Sequence, residues 1–398
     1  MRKFFTIALL LICSLLLTFV QADAGEIKSC ASSASYNALL SRLVDVLQNE
    51  KGTYGVYLLD LKSGHWLGIN HEEPFHAAST FKLPANLYLY EQIAAGRISP
   101  QTVLTYRKEH YEAGTGLLQY RPVGSKFTIA TLARYSIVYS DNVANNILIS
   151  YVGKQNVKNY MRNLGGKLVS DTQNVTCPRD MAAYTLHLLK FASEHPEQGN
   201  ALLDLLENTV FNDRISKPLP VKVAHKIGNW PPTGTYNDVG YVKHPENPYV
   251  IAVFSKYTPG KERACQVIQT ISRLVYNYQT KLVHVEILLN GKELKSELPP
   301  LLEKGRLLVP VRSVAEVMGA EVCWNGATKT AEVTWAGTTL HLKVGSSVAV
   351  VNNREVTLPL PVRFVEGCIF APLRFIGEAF GGQVRWDSST RTATVHLP

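Results

Sequence analysis

Cysteine is scarce and unpatterned here: six residues in 398, none at spacings that hold zinc. Cys13 lies in the N-terminal apolar run. The five others, Cys30, Cys177, Cys265, Cys323 and Cys368, are odd in number, so at least one thiol is free or pairs between molecules. No disulfide framework is expected. His284, His341 and His396 are scattered rather than clustered, which gives no basis for a metal site. After the first two dozen residues no run is apolar enough to cross a membrane. No basic cluster occurs either, so the net charge of +9 suits an anionic wall or membrane surface, or a solvated face, better than nucleic acid. Charged residues at 18% against 46% hydrophobic exclude a disordered chain, and the length predicts two or three domains.

What is present begins with MRKFFTIALLLICSLLLTFVQADA. Basic Arg2 and Lys3, an apolar run and Ala22-Asp23-Ala24 predict a secretory signal over residues 1–24, with cleavage after Ala24. An uncleaved anchor is the alternative, and Cys13 lacks the context of a lipid attachment site. The protein is expected outside the cell or at its envelope.

Two textures follow. Residues 32–281 begin with a helical pattern from Tyr36 to Leu47, then a hairpin in which GVYLLDL and HWLGI flank Lys62-Ser63-Gly64. Helical stretches run from Thr80 to about Leu206. VKVAHKIG, DVGYV and YVIAVFSK return as strands, and ACQVIQTISRLVYNY closes as a helix. Strands at both ends with helices between predict one antiparallel sheet flanked by helices, an α+β domain. Residues 283–398 form a smaller β-rich α+β region with a gapless repeat at an offset of 62, which takes Asn290 to Asn352, Pro310 to Pro372 and Trp324 to Trp386. The units span about 289–335 and 351–397, and pairing lets them bury a face that neither could cover alone.

The chemistry lies in three short stretches. HAASTFKLP places Lys82 one helical turn after Ser79, in apolar company that lowers an ammonium pKa and so prepares a base for the hydroxyl. YSDN supplies Ser140, Asp141 and Asn142; HKIG supplies Lys226, Ile227 and Gly228 on a strand. In this order and separation they resemble the penicillin-recognising serine enzymes. STFK, SDN-x-A-x-N and the Thr176, Pro178, Met181 helix start narrow the likeness to the class A β-lactamase-like branch.

That resemblance implies the β-lactamase/transpeptidase-like fold and a role for each residue. Ser79 is the nucleophile, Lys82 its base, and Ser140 the proton relay to the leaving nitrogen. Asn142 holds Lys82 and a substrate amide, and Lys226 faces a substrate carboxylate. Gly228 keeps the strand edge bare, and the N–H groups of Ser79 and Asn229 form an oxyanion hole. Asp141 orients its loop, and His225 is a packed residue on the face opposite Lys226.

The family's deacylating glutamate is missing: none occurs between Asn142 and Glu194, and the loop ahead of Pro178 is short. Asp171 there reads as a turn residue. Ile227 replaces the usual hydroxyl. Glu112, in YEAGTGLLQY, is a possible substitute for that glutamate but reads first as a surface residue, and Gly114-Thr115-Gly116 as a flexible cleft wall.

LNGKEL, GRLLVPVR, GAEVCW and their second copies resemble the copper amine oxidase N-terminal-like module, without an oxidase domain or copper ligands. Its Trp324 and Trp386 read as core, with glycan stacking as the other use. The resulting expectation is an exported, monomeric serine hydrolase opening β-lactams through an acyl-enzyme released slowly, without metal or cofactor, and held to wall polymer by the repeats. A peptidoglycan-peptide acyl-serine enzyme and a catalytically quiet wall-binding or sensor protein are the alternatives.

Overall fold

The computed structural model describes residues 27–398 apart from 283, 284, 297, 299, 366 and 389. The expected signal at 1–24 lies outside the described residues, as does His284.

The first region is built on a six-stranded antiparallel sheet of β1 (Ser29–Ala31), β2 (Thr53–Asp60), β3 (Trp66–Ile69), β8 (Val223–Trp230), β9 (Thr235–Val242) and β10 (Tyr249–Lys256), in the order β1-β3-β2-β10-β9-β8. Alternation along β10 decides which core each residue joins. Ile251 and Val253 face α1 (Asn37–Leu47) and α8 (Lys261–Lys281), packing with Leu43 and Ile268. Ala252 and Phe254 face the other way, into a helical lobe with Leu87, Ile137 and Met181. The two-residue strands β4 (Phe75–His76) and β7 (Val175–Thr176) pair beside the cleft, and β5 (Val103–Thr105) pairs with β6 (Lys126–Thr128).

The lobe holds α2 (Lys82–Ala94), α3 (Ile129–Val138), α4 (Asn142–Val152), α5 (Lys154–Asn163), α6 (Pro178–Glu194) and α7 (Pro196–Glu207). Three of its helices, α3, α4 and α6, start at a side-chain cap. Thr128 accepts the Thr131 N–H at 3.2 Å and Asp141 accepts the Ala144 N–H at 2.9 Å. Pro178 opens α6, where its missing N–H costs no helical bond.

The second region repeats its elements at the same offset of 62. Strand Arg306–Pro310, helix Val311–Met318 and strand Glu321–Asn325 recur as Cys368–Pro372, Leu373–Ala379 and Gln383–Asp387. The two equivalent strands pair antiparallel, Val309 opposite Ala371, around a shared core with Val314 and Ile376. The repeated asparagines do the same work twice. Asn290 and Asn352 both take left-handed backbone angles, and their side chains accept the N–H groups of Leu397 and Thr339 at 2.8 and 2.9 Å.

The hairpin tryptophans are not core, contrary to the sequence expectation: Trp324 is 43% and Trp386 44% exposed. Each shares a strand face with a partly buried valine packed on the core, Val322 or Val384, yet sits on an edge strand past the end of the apolar interior.

Candidate active site

Ser79 lies in a 3-10 turn, Ala78–Phe81, that runs straight into α2. Lys82 therefore stands one turn further on the same face, 4% exposed, with Nζ 3.1 Å from Ser79 Oγ. Its other close partners are the Ser140 carbonyl at 2.6 Å and Asn142 Oδ1 at 2.7 Å. Both accept protons only. A neutral amine has two N–H groups and one lone pair, so these acceptors take the two N–H groups and leave the lone pair facing Ser79. Burial lowers the Lys82 pKa to about 7, while Glu112 and Asp141 pull it back upward. The arrangement can accept a proton from the Ser79 hydroxyl at neutral pH.

Ser140 joins α3 to α4 with φ of +52°, a left-handed angle that is costly for serine and common at functional sites. Its Oγ receives a hydrogen bond from Lys226 Nζ at 2.8 Å and lies 3.5 Å from Lys82 Nζ. Lys226 is fully buried, and also donates to the Ile227 carbonyl at 3.1 Å. Burial first, then the charge of Lys82, lowers its pKa well below that of a free lysine. The sequence expectation gave Lys226 the positive charge for a substrate carboxylate; in the structure its Nζ also reaches Ser140.

Asp141 acts as expected, on its loop. Its carboxylate caps α4 and accepts the N–H groups of Leu117 and Leu118 at 2.6 and 2.8 Å. Gly116 passes so close that a Cβ would fall 2.4 Å from the Asp141 carboxylate, so only glycine fits there. Gln119 also donates to the carbonyls of Gly114 and Gly116, at 2.7 and 2.9 Å. The cleft wall expected to be flexible is braced.

Gly228 also meets a packing need. A Cβ there would lie 2.8 Å from the Ala77 carbonyl and 3.1 Å from Ala78 Cβ, so glycine lets the end of β8 close on the Ser79 turn. Asn229 follows it at the cleft edge. His225, on the other face of β8, is packed between Asp238 at 2.9 Å and Asn212 at 3.1 Å.

Several residues that sequence reasoning missed hold this turn. His76 Nδ1 accepts the Ala78 N–H at 3.1 Å while its ring stacks on Trp230. Asn174 donates to the Ala78 carbonyl at 3.2 Å and Asn237 to that of His76 at 2.8 Å. Fully buried Arg214 donates to the Asn237 carbonyl at 2.7 Å and to Asn229 Oδ1. The hydrogen bonds that His76, Asn174 and Asn237 make to this turn all involve backbone atoms, for which the sequence carries no signal.

The cleft in front of Ser79 holds about 730 Å³. Among the described residues Glu112 is the one carboxylate on its lining, which corrects its reading as plain surface. Asn146, the last residue of SDN-x-A-x-N, donates to Glu112 Oε2 at 2.9 Å. Asp171 is elsewhere, paired with Arg162 at 2.5 Å and with Gln155. Ile227 is 3% exposed and presents no hydroxyl.

A family model described as the beta-lactamase enzyme family matches residues 38–279, and one described as the copper amine oxidase N-terminal domain matches residues 288–395. The carbapenem-hydrolyzing beta-lactamase KPC of Klebsiella oxytoca is 26% identical over 258 residues, covering 58% of this chain and 85% of its own. Among solved structures, PBP-A is 28% identical with a TM-score of 0.59, over 62% of this chain and 97% of its own. A PBP-A variant has been solved as an acyl-enzyme complex with penicillin G. A beta-lactamase from Sphaerobacter thermophilus is 25% identical with a TM-score of 0.57, over 63% of this chain and 99% of its own. The matched span contains the whole Ser79 cleft and more than half of the chain, and the protein belongs to the beta-lactamase enzyme family as a class A-like serine hydrolase.

Proposed function

We propose that this protein is an exported hydrolase that opens β-lactam amides through an acyl ester on Ser79 and releases the acyl group slowly. The observation that carries this reading is the Lys82 amine, 3.1 Å from Ser79 Oγ with both its N–H groups directed to other acceptors. Ser79 gives its proton to Lys82 as Oγ bonds to the lactam carbonyl carbon. The N–H groups of Ser79 and Asn229 receive the oxyanion, and loss of one such donor typically costs about 3 kcal/mol. When the C–N bond breaks, the nitrogen takes the Ser140 proton, which the lysine pair replaces. Asn142 holds the substrate amide, and Lys226 serves a substrate carboxylate while hydrogen-bonded to Ser140.

A direct test is the pH dependence of acylation. Lys82 must be neutral to act, and burial puts its pKa at about 7. The acylation rate is expected to rise between about pH 5.5 and 8.5 with a midpoint near that value, then level off. Glu112 raises the proton affinity of Lys82, so Glu112→Gln is expected to move the midpoint to lower pH. A flat profile would remove Lys82 as the base.

A second reading, acylation by a peptidoglycan peptide, is favoured by the likeness to PBP-A and by the missing glutamate. It uses the same residues and the same ester, and differs in the natural acyl donor.

For the repeats we infer retention on anionic wall polymer. Trp386 opens onto a groove of about 570 Å³ with Arg306, Arg374 and Arg385, and Trp324 stacks on the exposed Phe364 at 6.0 Å. Exposed aromatics beside three arginines, with Glu378 the one carboxylate on the groove among the described residues, suit sugars bearing negative charge. Trp324→Ala with Trp386→Ala is expected to lower the fraction retained on purified cell walls several-fold, with acylation by soluble penicillin unchanged. Undiminished retention would assign the anchoring elsewhere.

A further inference from the structure

The Ser79 cleft extends along α4, past Asn145 and Ile149, to the first turns of α5. Its wall there carries a cation with no counter-ion among the described residues. Lys158 is 2% exposed, lines the cleft, and sets its Nζ over the Phe81 ring, 4.8 Å from the centroid. No hydrogen bond or ion pair reaches it among the described residues. Asp171, the carboxylate whose field it feels, is engaged with Arg162 at 2.5 Å. Lys154 stands one turn earlier on the same wall, exposed and also without an ion pair among the described residues.

An interior ammonium that lacks a counter-ion is costly, and a cation–π contact offsets part of that cost only. Burial and the charges of Lys154 and Arg162 lower the Lys158 pKa, which settles at about 8. Lys158 is therefore mainly protonated at neutral pH. In the acyl-serine reading the leaving nitrogen is protonated at Ser140, which is tied to Lys226 on β8 rather than to α5. A group bound through its carbonyl to Ser79 thus sends its acyl portion towards α5.

We propose that Lys158, assisted by Lys154, forms a carboxylate subsite that selects acyl donors bearing a free carboxylate on the acyl portion. The inference rests on the acyl-serine reading and names the substrate class of that same cleft. A carboxylate there gains a charge-assisted contact in a partly dry pocket, a preference of about tenfold or more.

The test uses two penicillins that differ by one group: benzylpenicillin and carbenicillin, which adds a carboxylate to the side-chain α-carbon. Second-order acylation rates of the full chain are read by intact mass, and the ratio of carbenicillin to benzylpenicillin is taken within each protein. The unaltered protein is expected to give a ratio of about ten or more, Lys158→Arg to keep most of it, and Lys158→Met to bring it to about one. A ratio of one or below in the unaltered protein overturns the subsite even if Lys158→Met fails to fold. So does a high ratio that survives Lys158→Met. Absence of any adduct with either penicillin would instead overturn the acyl-serine reading beneath it.

Discussion

Ser79→Ala is expected to abolish covalent labelling by a fluorescent penicillin, a loss on the order of 10⁴ or more in rate. The substitution removes one partner of Lys82 but leaves the Ser140 carbonyl and Asn142 Oδ1 in place, so no buried group is orphaned and the fold persists. Ser140, the other hydroxyl near Lys82, is 3.5 Å from its Nζ and accepts a hydrogen bond from Lys226 at 2.8 Å, so it is held as a proton relay rather than as a nucleophile. Lys82→Met separates nucleophile from base. The adduct should still form on Ser79, but about 10² to 10⁴ more slowly, the usual contribution of a positioned base. Labelling that survives Ser79→Ala, or a Lys82→Met variant that acylates at full rate, contradicts the assignment.

Much of this site is legible in the sequence because its spacings are local. A serine and lysine three apart on a helical turn share a face whatever surrounds them, and the alternation in YVIAVFSK fixes the two faces of β10. The offset of 62 is equally local in origin, since each repeat unit is read against its own copy. What stays hidden is whatever depends on a distant backbone atom. Asn174 and Asn237 hold the turn by bonds spanning 96 and 161 residues, to carbonyls that every residue type possesses. Glu112 reads as surface until α4 brings Asn146 beneath it. The hydrogen bond from Lys226 to Ser140 spans 86 residues and shows only in the packing. Trp324 and Trp386 follow a core pattern along their strands, and only the finite length of the core leaves them outside.

The second large effect concerns release. Hydrolysis of the Ser79 ester needs a water on the ester carbonyl and a base within hydrogen-bond reach of it. The short segment before α6 contributes Thr172, Gln173 and Asn174 to the cleft, none of them a base, and Asp171 is bound to Arg162 outside it. Glu112, tied to Asn146 and exposed on the far wall, is the one carboxylate there among the described residues. Without a dedicated base, release should fall short of an assisted reaction by about 10² to 10⁴, and the adduct should accumulate. Ile227 adds to this from the binding side: with no hydroxyl at that place, capture of the β-lactam carboxylate weakens, and acylation calls for more penicillin.

The most direct measurement is intact mass of the full chain after a brief pulse of benzylpenicillin, followed over time once free penicillin has been removed. The account predicts one added penicillin mass, located on Ser79, that declines far more slowly than it formed. Return of the unmodified mass within the dead time of the experiment, together with multiple-turnover cleavage of a chromogenic cephalosporin, would contradict it and make Glu112 the first residue to replace.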